Sequence, residues 1–195
     1  MVGREPEFLQ LHKILENVIE DRIGQVVTVV GEAGLGKSRL LYEFENWADL
    51  RPEQIWFYKG RARLETQGLP YGLLRDLFVF RFGIQDDDRA QAVRDKLETG
   101  FGEVFGHGEE GEKKAHIIGQ LLGYSFQDSP HLKGVLENPQ QLRDQSIMYI
   151  AAYFKSLAMQ DSVLVLLEDL HWADDASLDA INSLAFELKG APVFM

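Results

Sequence analysis

Cysteine does not occur anywhere in the 195 residues. That absence excludes disulfides, thiolate metal sites and a cysteine nucleophile. Basic residues are scarce beside acidic ones, 20 Lys and Arg against 31 Asp and Glu, giving a formal charge of −11. A surface of that sign repels phosphodiester backbones, so direct nucleic-acid binding by this segment is not expected. No apolar run approaches the ~20 residues of a membrane-spanning helix. Met1-Val2-Gly3-Arg4-Glu5 does not open the apolar core of a secretion signal. A cytoplasmic location without a membrane partner is therefore the expectation. What remains, 45% apolar and 26% charged, suits a globular domain with one sizeable core.

Against that ordinary background one segment carries chemistry. Gly31-Glu32-Ala33-Gly34-Leu35-Gly36-Lys37-Ser38 spells GxxxxGKS, the phosphate-binding loop. Its glycines let the backbone curl so that successive N–H groups point at a phosphate. Lys37 adds a point charge toward the β- and γ-phosphates, and the Ser38 hydroxyl is placed to ligate Mg²⁺. The flanks agree. Gln25–Val30 is a β-branched apolar run that predicts a buried strand, and Leu40, Leu41, Phe44, Trp47 and Ala48 recur at helical spacing. With Gly at about 7% of average usage, chance spells the four fixed positions in well under roughly one chain in fifty of this length.

Elsewhere, Pro6 suits the first turn of a helix to about Asp21, with Phe8, Leu11, Leu15 and Val18 on one stripe and Gly24 placed to close it. Gln54–Ala62 predicts a strand, and Leu69–Phe82 and Arg89–Leu97 predict helices. Gly100, Gly102, Gly106, Gly108 and Gly111 crowd together among Glu109, Glu110 and Glu112. That composition predicts a mobile surface linker over 100–114. Lys113–Leu122 reads as a short helix and Asp128–Gln140 as a loop. Ile147, Ile150, Ala151, Phe154 and Ala158 mark a further helix. Val163–Leu167 predicts a buried strand, Ser177–Lys189 a helix, and Ala191–Met195 another strand. Strands alternating with helices imply a parallel sheet covered on both faces.

The strand at Val163–Leu167 ends in Glu168-Asp169, the Walker B pattern: an apolar run delivering two acids to the ligand-binding edge of a parallel sheet. One acid would hold Mg²⁺ and the other would polarise the attacking water. The segment Leu167-Glu168-Asp169-Leu170-His171-Trp172-Ala173-Asp174-Asp175-Ala176-Ser177-Leu178 resembles the second acidic motif of AAA-like ATPase modules in the STAND class, signal-transduction ATPases with numerous domains. Val2-Gly3-Arg4-Glu5 resembles the opening motif of that group, which lies near the adenine, and Gly36–Leu41 also fits it. The stretch from His131-Leu132-Lys133-Gly134 through Pro139–Asp144 is similar to modules attached to class III adenylate/guanylate cyclase domains and tetratricopeptide repeats, and related modules occur in LuxR-type transcriptional activators.

The resemblance implies a P-loop NTPase fold, α/β in three α/β/α layers with a mainly parallel sheet. ATP and Mg²⁺ would be bound by Gly31, Glu32, Ala33, Gly34, Leu35, Gly36, Lys37, Ser38, Arg39 and Arg4. Ser38 and Glu168 would serve Mg²⁺, and Asp169, Glu168 and Lys37 would carry hydrolysis. The implied function is a nucleotide-gated regulatory module of a larger bacterial signalling or transcription-regulating protein. Its partners would be ATP/ADP and further domains of the same polypeptide (cyclase, tetratricopeptide repeats or DNA-binding domain), with a nucleotide-dependent homo-oligomer left open. In the superfamily's strand order the strand near Ala191 lies between the P-loop and Walker B strands. The chain would then end inside a central strand, before the last strands and helical lid, as an N-terminal fragment.

One departure bears on rate. The family commonly has Asp-Asp or Asp-Glu where this chain has Glu168-Asp169, so slow turnover is expected. Rival readings are a nucleotide-binding module without hydrolysis, a P-loop kinase, and a scaffold with a vestigial site. Arg61 and Arg63 read as solvated surface arginines, and Asp174 and Ser177 as caps of the next helix. His12, His107, His116 and His131 show no metal spacing, and no zinc site is assigned.

Overall fold

A computed structural model describes residues 3–195. The first helix, α1 (Glu5–Asp21), starts with Pro6 in its first turn and acids Glu5 and Glu7 facing the helix's positive end. It buries Leu11, Leu15 and Val18, the predicted stripe. Arg22, not Gly24, takes the left-handed conformation that closes it, at φ 55°. Gly24 answers a different need: a Cβ there would stand 2.5 Å from the Leu188 carbonyl oxygen. Its N–H donates to the Lys189 carbonyl.

Helix α2 (Lys37–Asp49) follows the phosphate loop and packs Leu40, Phe44 and Ala48 beside α1. Strand β1 (Ile55–Arg61) comes next, then α3 (Gly72–Phe82), α4 (Ala90–Phe105), α5 (Glu109–Leu121) and the long α6 (Pro139–Gln160). Strand β2 (Ser162–Glu168), helix α7 (Asp175–Glu187) and strand β3 (Val193–Phe194) complete the described elements. The strands pair in parallel in the order β1-β2-β3.

The run Gln25–Val30 pairs less than its composition predicts. Gln25 bridges Phe194 in parallel, and the Val27 N–H donates to the Met195 carbonyl. Beyond Val27 there is no strand partner among the described residues, because the pairing residues stop at Met195; Val30 stands 86% exposed. The order is nonetheless the expected one. β3 lies between the segment leading into the phosphate loop and β2.

The period-two alternation of strand side chains divides the core. Leu164 and Leu166 of β2, with Ile55 and Phe194, face α1 and α2. Val163 and Val165, with Tyr58 and Val193, face α3 to α7. The result is a three-layer α/β/α domain, as the fold class requires. The larger core is aromatic: Tyr58, Phe78, Phe101, Tyr153 and Phe154 are each at most 1% exposed. Tyr58 and Tyr153 satisfy each other through a hydroxyl contact of 2.7 Å, and burial pushes both phenols up. No described helix is long and apolar enough to cross a membrane.

The linker expected over 100–114 is not what the structure contains. Residues 100–105 complete α4, and α5 begins at Glu109, so the crowded glycines span a tight helix–turn–helix. Gly100 and Gly111 are buried. A Cβ at Gly100 would stand 2.3 Å from the Phe82 ring, and one at Gly111 would stand 1.8 Å from the Gly106 carbonyl oxygen. Small size selects Gly100 and Gly111, whereas Gly106, at φ 88° with open space around it, serves the turn. Glu109, Glu110 and Glu112 sit in the first turn of α5, where the helix dipole favours negative charge.

This assignment separates two glycines by outcome. Gly111→Ala must displace backbone and is expected to lower the unfolding free energy by about 1–3 kcal/mol. Gly108, with open space around its Cα and φ −91°, should accept Ala within about 0.5 kcal/mol. Urea unfolding of the two variants checks it; equal effects would contradict the helix–turn–helix.

Candidate functional site

All the parallel strands end at one edge of the sheet, and the phosphate loop and the Glu168-Asp169 pair both sit there. Two strand spacings, roughly 10 Å, separate their strand positions. Gly34 and Gly36 adopt φ 82° and 80°, the left-handed region that a side chain would resist, and they curl the loop into the start of α2.

The loop's donors stand free. Among the described residues the backbone N–H groups of Ala33, Gly34, Gly36, Lys37, Ser38 and Arg39 meet no protein acceptor, whereas Leu35 donates back to Glu32 at 3.4 Å. Four of these six belong to Gly36 and the first turn of α2, where a helix leaves its amides unpaired and its dipole positive. No side-chain cap relieves them. Lys37 curls over the loop, donating to the carbonyls of Gly31 at 2.7 Å and Glu32 at 2.9 Å. An exposed concavity of unpaired amides with a lysine at its rim fits an anionic phosphate.

Arg4 reaches this loop from the N-terminus of α1. Its Nη2 donates to the Leu35 carbonyl at 3.0 Å, while Nη1 pairs with Glu7 at 2.8 Å. The opening motif and the phosphate loop are thus brought together; Val2 lies outside the described residues.

Glu168 shares its face of β2 with Leu164 and Leu166, so alternation turns it toward the layer of α2. Its side chain is 12% exposed, and Lys59 of β1 lies 3.7 Å away. Lys59 also bonds Glu45 of α2 at 2.7 Å, which links the acidic strand end to the phosphate-loop helix. Asp169 leaves the strand in the left-handed conformation, φ 57°, and Arg61 Nε donates to its Oδ2 at 2.8 Å. The hydrogen bond and charge of Asp169 hold the Arg61 guanidinium above its ordinary value. Arg61 is therefore exposed but not idle, and sequence pattern did not reveal its partner. A clue existed in the parallel register, which sets Arg61 opposite Glu168. Arg63 is as exposed and lies 3.8 Å from Asp76.

Downstream, Leu170–Trp172 form a 3-10 turn, with the His171 and Trp172 rings 4.9 Å apart at the surface. Of the two expected caps, Ser177 lies inside the first turn of α7 and only Asp174 serves, accepting from the Ser177 N–H at 2.8 Å. It does more. The same carboxylate accepts from the Tyr71 and Gly72 amides at 2.9 and 3.1 Å and from the Ser177 hydroxyl at 2.6 Å. Ser177, fully buried, accepts in turn from the Leu73 N–H. Asp174 and Ser177 thus join the N-termini of α3 and α7. The pairing is non-local, which is why only the cap was foreseen.

Fold and loop together define a P-loop nucleotide-binding domain. A family model for the AAA ATPase domain matches residues 1–195, and the chain belongs to that family. A relative in Rhizobium meliloti (strain 1021), Uncharacterized protein R02095, is 23% identical over 204 residues. The alignment takes in 100% of this chain and 18% of the relative, so the chain spans about a fifth of that protein's length. No solved structure gives a significant match.

The Asp174 network sets a stability test. Asp174→Ala removes a helix cap and strands two further amides, an expected loss of about 2–4 kcal/mol. Asp174→Asn keeps acceptor geometry and should lose less than half as much. Chemical denaturation of both variants checks this; an Ala variant as stable as the parent would contradict the shared anchor.

Proposed function

We propose that this domain binds ATP with Mg²⁺ and hydrolyses it slowly, as a nucleotide-gated regulatory module of a larger signalling or transcription-regulating protein. The reading rests chiefly on the row of unpaired amides at Gly36–Arg39 beneath Lys37, on the sheet edge that also carries Glu168. These amides and the start of α2 would cradle the β-phosphate. Lys37 would leave the Gly31 and Glu32 carbonyls to meet the β- and γ-oxygens, and Arg4 would border the nucleotide from α1. Ser38 and Glu168 would hold Mg²⁺, which neutralises charge on the phosphates when bound.

Asp169 would orient the attacking water and accept its proton. Its carboxylate now bonds Arg61, so either Arg61 withdraws or it stays to hold the acid in place. The same contact favours a second reading, nucleotide binding without hydrolysis, in which Arg61 keeps Asp169 from water. The share of the relative covered by this chain supports a module within a larger polypeptide. Switching would require nucleotide to bind one arrangement of neighbouring domains better than the other.

Thermal unfolding with Mg-ATP, Mg-ADP or Mg-GTP, alongside Lys37→Ala, tests the binding site. Ligand at a hundred times its Kd adds about 2.7 kcal/mol of stability. A stabilisation by adenine nucleotides that Lys37→Ala abolishes is the expected result; none with any nucleotide would sink the reading. Phosphate release then separates the two readings: Asp169→Asn should abolish turnover if Asp169 is the base. No measurable turnover in the parent would leave the binding module alone standing.

A further inference from the structure

Glu112 and His116 of α5 and His131 of the turn at Pro130–Leu132 bring their side-chain ends together, and Glu98 of α4 reaches the same spot through its contact with His116. None belongs to the nucleotide site. His116 Nε2 lies 2.9 Å from Glu98 Oε1 and 3.9 Å from Glu112 Oε1, and His131 Nε2 lies 3.8 Å from that same Glu112 oxygen. The ligand atoms of Glu112, His116 and His131 all fall within 4.8 Å of one another.

The two imidazoles are held, not loose. Glu112 and His116 stand four residues apart on one helix face. The His116 ring packs on Phe126 at 4.5 Å, and Phe126 gets that close because residue 119 is glycine: a Cβ there would stand 2.4 Å from the phenylalanine ring. On its other side His116 Nδ1 meets Ser129 Oγ at 2.7 Å. Donation of an Nδ1 proton to that oxygen leaves the Nε2 lone pair facing the carboxylates, the arrangement typical of ligating histidines. Ser129 also accepts from the His131 N–H at 3.1 Å, so one serine fixes both histidines. The side chains of His116 and His131 are only 8% and 12% exposed.

An ion pair accounts for His116 with Glu98 and nothing more. Among the described residues the His131 ring makes no hydrogen bond, and 3.8 Å to Glu112 is beyond one. We infer that these four residues form a structural site for a divalent cation of the zinc class, cross-linking α4, α5 and the 129–132 turn. Two imidazole nitrogens with two carboxylate oxygens suit Zn²⁺, whereas Ca²⁺ and Mg²⁺ select oxygen alone. Zinc–ligand bonds of ~2.0–2.1 Å at tetrahedral angles put ligand atoms ~3.3 Å apart. The two Glu112 contacts, 3.8 and 3.9 Å, exceed that spacing by about half an ångström, and the carboxylates of Glu112 and Glu98, 51% and 40% exposed, would rotate inward to complete the set. Four protein ligands leave no open position for substrate, so the role is mechanical. The cross-link ties down the helical insertion between β1 and β2.

Co²⁺ alone, titrated into the chelator-stripped protein, reads the site directly through its visible absorption. The expected result is one equivalent with the intense band of a four-coordinate ion, displaced by Zn²⁺ alone. His116 is too buried to substitute safely, so the variants are Glu112→Gln and His131→Ala, with circular dichroism confirming their fold. Each should weaken Co²⁺ binding by at least about tenfold and flatten the band. Glu168→Gln should leave the band unchanged, separating this site from any cation held at Ser38 and Glu168. No saturable band, or a band that survives the double variant Glu112→Gln/His131→Ala, would overturn the assignment.

Discussion

A strand buried between two parallel neighbours must be apolar on both faces; β2 meets that demand, and the rest of the domain follows from it. Ser162–Glu168 pairs residue by residue with Ile55–Arg61 on one side and meets Val193–Phe194 on the other. Its alternate side chains seed two cores, one under α1 and α2, the other under α3 to α7. Because the run from Val163 is apolar until its last residue, the first charge it carries, Glu168, stands at the end of the strand. The acidic pair is thus placed by burial: an acid one or two residues earlier would have to be desolvated inside the core.

The phosphate loop is anchored to that sheet only through Gln25–Val27 and the chain around Met195, yet side-chain contacts tie it to the acidic edge by a second route. Glu45 on α2 bonds Lys59 on β1, and Lys59 stands between Glu45 and Glu168. One ammonium between two carboxylates offsets part of the charge on Glu168, its hydrogen bond going to Glu45. Lys37 is likewise held by loop carbonyls that a phosphate could replace. Each charged group of the proposed site therefore has an interim partner, and binding would exchange partners where otherwise it would create charges anew.

How much of this was legible in the sequence depended on whether the information was local. The phosphate loop, the acidic pair and the helical stripes were legible because eight residues, two residues or one helical period suffice to write them. Composition alone misreads Gly100, Gly102 and Gly111 because it reports what glycine permits, whereas the structure uses what glycine lacks: a Cβ at Gly111 has no room beside the Gly106 carbonyl. Gln25–Val30 has strand composition, but pairing needs a neighbour, and its neighbour runs only to Met195. The bond from Arg61 to Asp169, the Asp174 anchor and the meeting of His116 with His131 are tertiary. Histidine spacing alone missed the last, since the helical partner of His116 is Glu112.

The Glu168-Asp169 order has a consequence that geometry sharpens. Asp169 turns left-handed as soon as the strand ends, a conformation aspartate tolerates better than most residues and glutamate does not favour. That turn swings the carboxylate to Arg61 on the neighbouring strand, 2.8 Å away. The arginine at the end of β1 and the acid that follows β2 are therefore a pair set by the strand register. Were Asp169 the base of the proposed hydrolysis, release from Arg61 would be a step before proton transfer, and such a step would slow turnover.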